Sequence, residues 1–259
     1  MHPPKRPLLL NRAMPPADNV TTMRILVIDV GGSKAKCLLS GETERRTAVS
    51  GPDYTPERLV ADMRQLLGNE RFDRVTIGFP GPIKQGRPSK EPVNLGGGWM
   101  NFDYRAAFNC PVKFVNDAAM QAVGSYQGGR MMFLGLGTGL GTAMIDEGHL
   151  IALEAAHLPY KKRMSFEEWV GNAAKERLGK RRWREEVAEV CAIFRRTFLP
   201  EYIVLGGGNA KELKELPEGC RLGDNSLAFT GGFRVWDREW ATSVPECPAL
   251  DAQRALRVG

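Results

Sequence analysis

Twice along this chain a run of strand-forming residues ends in a glycine-rich turn and restarts as another strand, and that repeat restricts its possible folds more than any other feature. The first turn, Asp29-Val30-Gly31-Gly32-Ser33-Lys34, follows Ile25-Leu26-Val27-Ile28; the second, Gly135 to Gly141, follows Met131 to Leu134. A continuous apolar run such as Ile25 to Ile28 suits a strand buried on both faces. Beyond the turn, Ala35, Cys37 and Leu39 alternate with Lys36, Leu38 and Ser40, and Arg45 to Val49 can extend as well. A dinucleotide fingerprint or a P-loop needs a helix directly after its glycines. Neither motif is present in full.

The rest of the chain repeats this grammar. Thr55-Pro56 supplies an N-cap and a first-turn proline for a helix with an apolar stripe of Leu59, Val60, Met63, Leu66 and Leu67. Arg74 to Phe79 reads as a strand ending at Pro80-Gly81-Pro82, and the Gly- and Pro-rich stretch to Trp99 as a long loop. A second round follows: strand Val112 to Val115, helix Ala118 to Tyr126, strand Met131 to Leu134, then strands Gly141 to Ile145 and Gly148 to Leu153 around the second turn. Ser165-x-x-Glu168 is a capping box opening a helix to Leu178, Trp183 to Phe198 marks another helix, and strand Tyr202 to Leu205 ends in Gly206-Gly207-Gly208. This order predicts an α/β chain of two related lobes, residues 23–115 and 116–236. Residues 1–22, with five prolines and no apolar period, read as a disordered leader, so that Met23 is an alternative start; residues 237–259 read as a poorly structured tail.

No apolar run approaches the roughly 20 residues of a membrane span, and Leu8 to Leu10 is too short for a signal peptide, so a cytoplasmic chain is expected. Cys37, Cys110, Cys191, Cys220 and Cys247 are widely spaced and contain no C-x-x-C pair, which suits reduced core thiols better than a redox or zinc site. The net charge of +6 is concentrated between 161 and 184, where nine Lys or Arg (Lys161, Lys162, Arg163, Lys175, Arg177, Lys180, Arg181, Arg182, Arg184) face three Glu. Such a cluster is either a solvated helix face or a track for a polyanion. Trp169 and Trp183 fit apolar helix faces rather than a stacking platform, so nucleic acid is not an expected partner.

A phosphate needs backbone N–H donors approachable without Cβ obstruction, which Gly31-Gly32-Ser33 and Gly137-Thr138-Gly139 can offer, with the Ser33 and Thr138 hydroxyls as further donors. The alternative for each is a tight hairpin glycine. Asp29, ending a buried strand beside the first turn, faces phosphate or a metal-bound water, or caps its own turn. Asp117 sits where a strand gives way to a helix and either caps that helix or acts as a base on a hydroxyl; Asn116 beside it offers both a donor and an acceptor to a polyol. Glu154 and His157 form a second pair suited to adjacent sugar hydroxyls. Zinc binding by that pair lacks a third ligand nearby.

The segments Asp29-Val30-Gly31-Gly32-Ser33-Lys34, Gly78-Phe79-Pro80-Gly81-Pro82, Asn116-Asp117-Ala118, Leu136-Gly137-Thr138-Gly139-Leu140-Gly141, Glu154-Ala155-Ala156-His157 and Leu205-Gly206-Gly207-Gly208 resemble, in order and spacing, the ROK sugar-kinase family, and within it the bacterial polyphosphate glucokinase branch. The resemblance covers Arg24 to about Trp236. It implies the actin-like ATPase (ribonuclease H-like) fold, two lobes around a central cleft, in a homodimer. It makes Asp117 the general base toward the 6-hydroxyl of glucose or a related hexose, with Asn116, Glu154, His157 and Asn94 holding other hydroxyls. Asp29 would organise Mg²⁺, directly or through water. Gly31, Gly32, Ser33 and Lys34 would surround the transferred phosphate, Gly137, Thr138 and Gly139 the inner phosphates, and Gly206, Gly207 and Gly208 the nucleoside end of ATP, if ATP rather than polyphosphate is the donor; a polyphosphate chain would need the basic stretch Lys161 to Arg184. Two departures from the family pattern stand out. Residues 158–190 contain no cysteine, so the family's structural zinc is not expected, and Ala156 replaces the usual glycine before the histidine. The rival reading is a non-catalytic ROK-type sugar-sensing regulator; the 22 proline-rich residues ahead of the first strand are not expected to form the helix-turn-helix of such proteins. An actin-like ATPase that activates an iron–sulfur partner would need a cysteine pairing that the sequence lacks.

Overall fold

The structure, a computed structural model, describes residues 23–250; the expected leader and residues 251–259 of the expected tail lie outside that span. From Ile25 the chain runs through β1 (Ile25–Val30), β2 (Lys34–Leu39), β3 (Arg46–Val49), α1 (Pro56–Leu67), β4 (Arg74–Phe79), a short hairpin of β5 (Ile83–Lys84) and β6 (Arg87–Pro88), α2 (Tyr104–Phe108), β7 (Val112–Asn116) and α3 (Asp117–Ser125). The second half supplies β8 (Arg130–Leu136), β9 (Leu140–Asp146), β10 (His149–Leu153), α4 (Glu167–Val170), α5 (Asn172–Phe198), β11 (Tyr202–Gly206), β12 (Cys220–Leu222) and α6 (Leu227–Arg234). Two five-stranded sheets result, with orders β3-β2-β1-β4-β7 and β10-β9-β8-β11-β12. In each, the first three strands form an antiparallel meander and the last two add in parallel on the other side of its first strand. The repeat seen in the sequence is thus a repeat of topology.

Side-chain alternation explains why β1 reads as an unbroken apolar run. Leu26, Ile28 and Val30, with Ala35, Cys37 and Leu39 of β2, face Leu59, Met63 and Leu67 of α1. Ile25, Val27 and Leu38 face the other way, into a core shared with α3, α6 and the second sheet's Phe133, Ala143 and Ile145. Thr55 caps α1 by accepting the Arg58 N–H at 3.4 Å, with Pro56 at the first position. The two lobes meet through α3 and α6, whose backbones touch at glycines: a Cβ at Gly124 would collide with the Leu227 carbonyl, and one at Gly231 with that of Met120.

Three expectations need correction. The expected long loop before Trp99 contains the β5–β6 hairpin, and it is pinned by Glu91, which accepts the backbone N–H groups of Trp99 (3.0 Å) and Met100 (3.2 Å). The capping box at Ser165 and Glu168 forms as expected, but its helix stops after one turn because Gly171 is extended (φ −70°, ψ 177°), and a new helix starts there. That helix breaks again at Gly179 (φ 75°), between the two helices read from the sequence. Finally, the tail is ordered through its described part. Trp240 is fully buried edge-on to Tyr126, the Cys247 N–H donates to the Val112 carbonyl at 2.7 Å, and buried Arg87 donates to the Pro248 carbonyl. Hydrophobic anchors spaced too widely to form a period hold this segment down. Among the described residues no helix is long and apolar enough to cross a membrane.

Candidate active site

The two glycine turns share one construction. Each closes on itself, Gly31 donating to the Lys34 carbonyl at 3.0 Å and Gly137 to the Gly139 carbonyl at 3.1 Å. Each has its carbonyls tied from behind by another element. Ser50 binds the first turn, its hydroxyl donating to the Gly31 carbonyl (2.6 Å) and its N–H to that of Ser33 (3.1 Å). In the second, the Asn172 N–H at the start of α5 donates to the Gly137 and Thr138 carbonyls (3.1 Å each), and the Asn209 side chain donates to Gly137 as well (3.2 Å). Among the described residues, the amides of Gly32, Ser33, Thr138 and Gly139 are left without protein partners. With the negative carbonyl ends anchored away, each turn presents N–H groups to an incoming anion.

Ser50, Asn172 and Asn209 were not singled out from the sequence, because nothing local marks a residue that ties down a turn more than fifteen positions away. Glu167 and Lys175 belong with them. Glu167 accepts the Leu140 N–H at 3.1 Å and packs against Gly139, where a Cβ would collide with it, while the Lys175 ammonium donates to the Asn209 side chain.

Between the turns stands the strand-to-helix junction of β7 and α3. Asn116, not Asp117, is the N-cap: its side-chain oxygen accepts from Ala118 (3.0 Å) and Ala119 (3.3 Å), while its amide donates to the Gly81 carbonyl (3.2 Å). This corrects the expectation that Asn116 is free to grip a polyol; one amide hydrogen is left for that purpose. Asp117 is thereby released from capping. Its carboxylate accepts the neighbouring Ala118 N–H, at 2.8 Å. Burial pushes the Asp117 carboxyl up to about 6, helped by the negative charges of Asp29 and Glu154 and opposed by the Ala118 N–H. That electrostatic coupling brings together three of the carboxylates picked from the sequence. Gly141 closes the second hairpin onto the same junction, since a Cβ there would lie 2.6 Å from that of Ala118.

Asp29 lies opposite Lys36 on β2 and Gly78 on β4. Burial also raises its carboxyl above the usual carboxylate range, against the pull of Lys36 and Arg45. Among the described residues no three His, Cys, Asp or Glu side chains cluster as a ready-made metal cage. A carboxylate beside the first glycine turn nevertheless suits Mg²⁺, which is commonly held by one or two carboxylates together with substrate phosphates.

Glu154 and His157 flank a single 3₁₀ turn after β10, both exposed, with 3.6 Å between the ring Nε2 and a Glu154 oxygen. Thr142 anchors that turn, donating to the Leu153 carbonyl (2.8 Å) and accepting from Ala155 (3.1 Å). Asn94 lies against Gly32, its Cβ 3.3 Å from where a Cβ of that glycine would be, so the loop bearing it reaches the first turn. Lys34, exposed, opens β2. The triple glycine after β11 behaves differently from expectation. Gly206 is buried where a Cβ would run into Phe133, and Gly207 (φ 80°) presses on the Leu136 backbone and gives its N–H to Asn225 at 3.1 Å. Only Gly208 is open. Gly206 and Gly207 therefore allow close packing against β8, and the Gly207 N–H is already taken by Asn225.

The basic stretch is partly tied down within the protein. Lys161 pairs with Glu186 and Glu189, Lys180 with Glu212, Arg181 with Glu185, and Arg182 with both Glu185 and Glu186; Arg177 and Arg184 donate to the carbonyls of Glu168 and Glu212. Acids on the next helical turn and on neighbouring loops thus pair four of the nine cations, and two more donate to carbonyls.

Known proteins share this architecture. The chain is similar to the inorganic polyphosphate/ATP-glucomannokinase of Arthrobacter sp. strain KM, with a TM-score of 0.69 at 23% identity over 82% of this chain and 97% of that one. It is 25% identical over 228 residues to a polyphosphate glucokinase of Mycobacterium leprae, covering 78% of this chain and 69% of that protein. An N-acetylmannosamine kinase of Shigella flexneri is 30% identical over 145 residues, half of each chain. The duplicated lobe is thus the actin-like ATPase fold of ROK sugar kinases. The ROK family profile matches residues 25–156, just over half of the 259, from β1 to Ala156, and the chain belongs to the ROK family.

Proposed function

We propose that this chain is a hexose kinase that transfers a phosphoryl group from polyphosphate or ATP to the 6-hydroxyl of glucose or a related sugar. The observation that carries the reading is Asp117: a carboxylate released from capping by Asn116, pushed up to about 6, and set between two turns with unpaired amides. A base with that affinity for protons is ionised at neutral pH and still able to accept one from an alcohol. The named activities of the Mycobacterium and Arthrobacter relatives support both the sugar acceptor and the donor class.

In this reading the sugar is held by Glu154, His157, Asn94 and the remaining amide hydrogen of Asn116, with its 6-hydroxyl against Asp117. As the new O–P bond forms, Asp117 takes the hydroxyl proton, and the donor leaves with the electron pair of the broken O–P bond. The amides of Gly32, Ser33, Thr138, Gly139 and Gly208 stabilise charge on the transferring and leaving phosphates, which is most of what phosphoryl transfer asks of a protein. Asp29 would hold Mg²⁺, which when bound neutralises phosphate charge. A cytoplasmic homodimer is part of the proposal, on the family resemblance.

A coupled hexose-6-phosphate assay, with ATP and polyphosphate supplied separately, tests it. Asp117→Asn is expected to keep fold and sugar binding while lowering turnover about 10²–10⁴-fold. Turnover close to that of the parent chain would remove Asp117 from its assigned role, and no transfer from either donor would favour a sugar-sensing regulator.

A further inference from the structure

Resting on that kinase reading, we infer that Lys36 and Arg45, continuing from Lys34, form the track that holds the distal phosphates of a polyphosphate donor. Cross-strand partners point to the same face of a sheet. Lys36 lies directly opposite Asp29 on β1 and Thr47 on β3, and Lys34 opposite Val49. Arg45 precedes β3 by one residue and shares the face of Thr47, because its guanidinium lies over the Phe229 ring of α6 at 5.0 Å, and α6 packs on that face of the sheet through Gly232 and Val27. The three cations thus run from the first glycine turn along one wall of the interlobe cleft. From Asp29 to Arg45 is two strands across and two residues along, about 12 Å between Cα atoms at ordinary sheet spacings.

Among the described residues none of Lys34, Lys36 and Arg45 forms an ion pair, whereas four of the nine cations between 161 and 184 are paired with Asp or Glu. Carboxylates do act on this wall: Lys36 and Arg45 both pull on Asp29, and Arg45 also acts on Asp224, in the loop between β12 and α6. Unpaired cations beginning at the turn proposed for the transferred phosphate suit an anion longer than a single phosphate, with repeated charges and no base to recognise. That is the chemistry of an inorganic phosphate chain.

The test compares the parent chain with Arg45→Met, Lys36→Met and Lys36→Arg, using direct binding of long-chain polyphosphate without sugar and hexose phosphorylation from long-chain polyphosphate, tripolyphosphate and ATP. Each Met substitution should raise the polyphosphate Kd and KM about tenfold, the size of one charge-assisted hydrogen bond. Each should also flatten the dependence of log KM on log salt by about one. Arg45→Met should weigh less on tripolyphosphate, which is too short to span the wall, and Lys36→Arg should restore most of the loss. Unchanged Kd, KM and salt dependence in both Met variants, alongside normal transfer in the parent, would overturn the track and leave the kinase reading standing. Losses of equal size with every donor would overturn it too, since the cations would then serve the reacting phosphate alone. Binding that depends on Lys36 and Arg45 in a chain that phosphorylates no hexose would instead support the track and sink the kinase reading.

Discussion

Asp117 and Asn116 are adjacent in sequence and were both legible as candidates, but their roles separated only when hydrogen bonds were assigned. The sequence left open whether Asp117 caps α3; the structure gives that cap to Asn116, whose oxygen serves two helix amides at once. The freed carboxylate has a testable titration. With its folded value near 6, kcat/KM should fall tenfold per pH unit below about pH 6, and Glu154→Gln should move that limb to lower pH by removing a charge that raises it. A limb that does not move would dissociate Glu154 from Asp117. The same shift affects stability, with a definite sign. Below the ordinary 3.8, Asp117 is protonated folded and unfolded alike, and as pH rises through about 6 the native state alone resists ionisation. The fold therefore loses up to about 3 kcal/mol over that window. Asp117→Asn should accordingly raise Tm at pH 8 and leave it unchanged at pH 3.5. A Tm that drops at pH 8 would mean the carboxylate stabilises the fold.

Among the elements, the strands of both meanders were readable from two-residue alternation and apolar runs, and α1 from its Thr55-Pro56 start, because those signals act within a few residues. The split of the Ser165 helix was not, since Gly171 is extended in order to let α5 begin against the second glycine turn: a Cβ there would lie 2.8 Å from the Thr138 carbonyl. Nor could the glycines of α3 and α6 be assigned a purpose. Their purpose is the crossing itself, where Gly231 lets α6 approach the Met120 backbone. Gly231→Ala would add helix propensity yet force the two helices apart, and overpacking of this kind costs about 1–3 kcal/mol. Thermal or urea unfolding should show that loss. A stabilised variant would show that the helices can part freely. Because α3 carries Asp117 at its first position, a loss of turnover should accompany the loss of stability.

Across the molecule, the segment after α6 has a larger part than its sequence suggested, returning to the first sheet to pair with β7. Trp240 fills the shared core against Tyr126 without any exposed surface, so Trp240→Ala should cost about 3–5 kcal/mol, measured by denaturant unfolding. A cost below about 1 kcal/mol would return this segment to the status of a loose tail. The strand–turn–strand repeat, the location of the glycine turns and the carboxylate at the β7–α3 junction were fixed by local pattern, because alternation, turn chemistry and capping act over a handful of residues. Which way the turn amides point, which glycines are packing devices, which cations are already paired and which line the cleft depended on contacts between residues far apart in the chain. Ser50 behind Gly31, Asn209 behind Gly137, and Phe229 beneath Arg45 are such contacts, and no periodicity in the sequence encodes them.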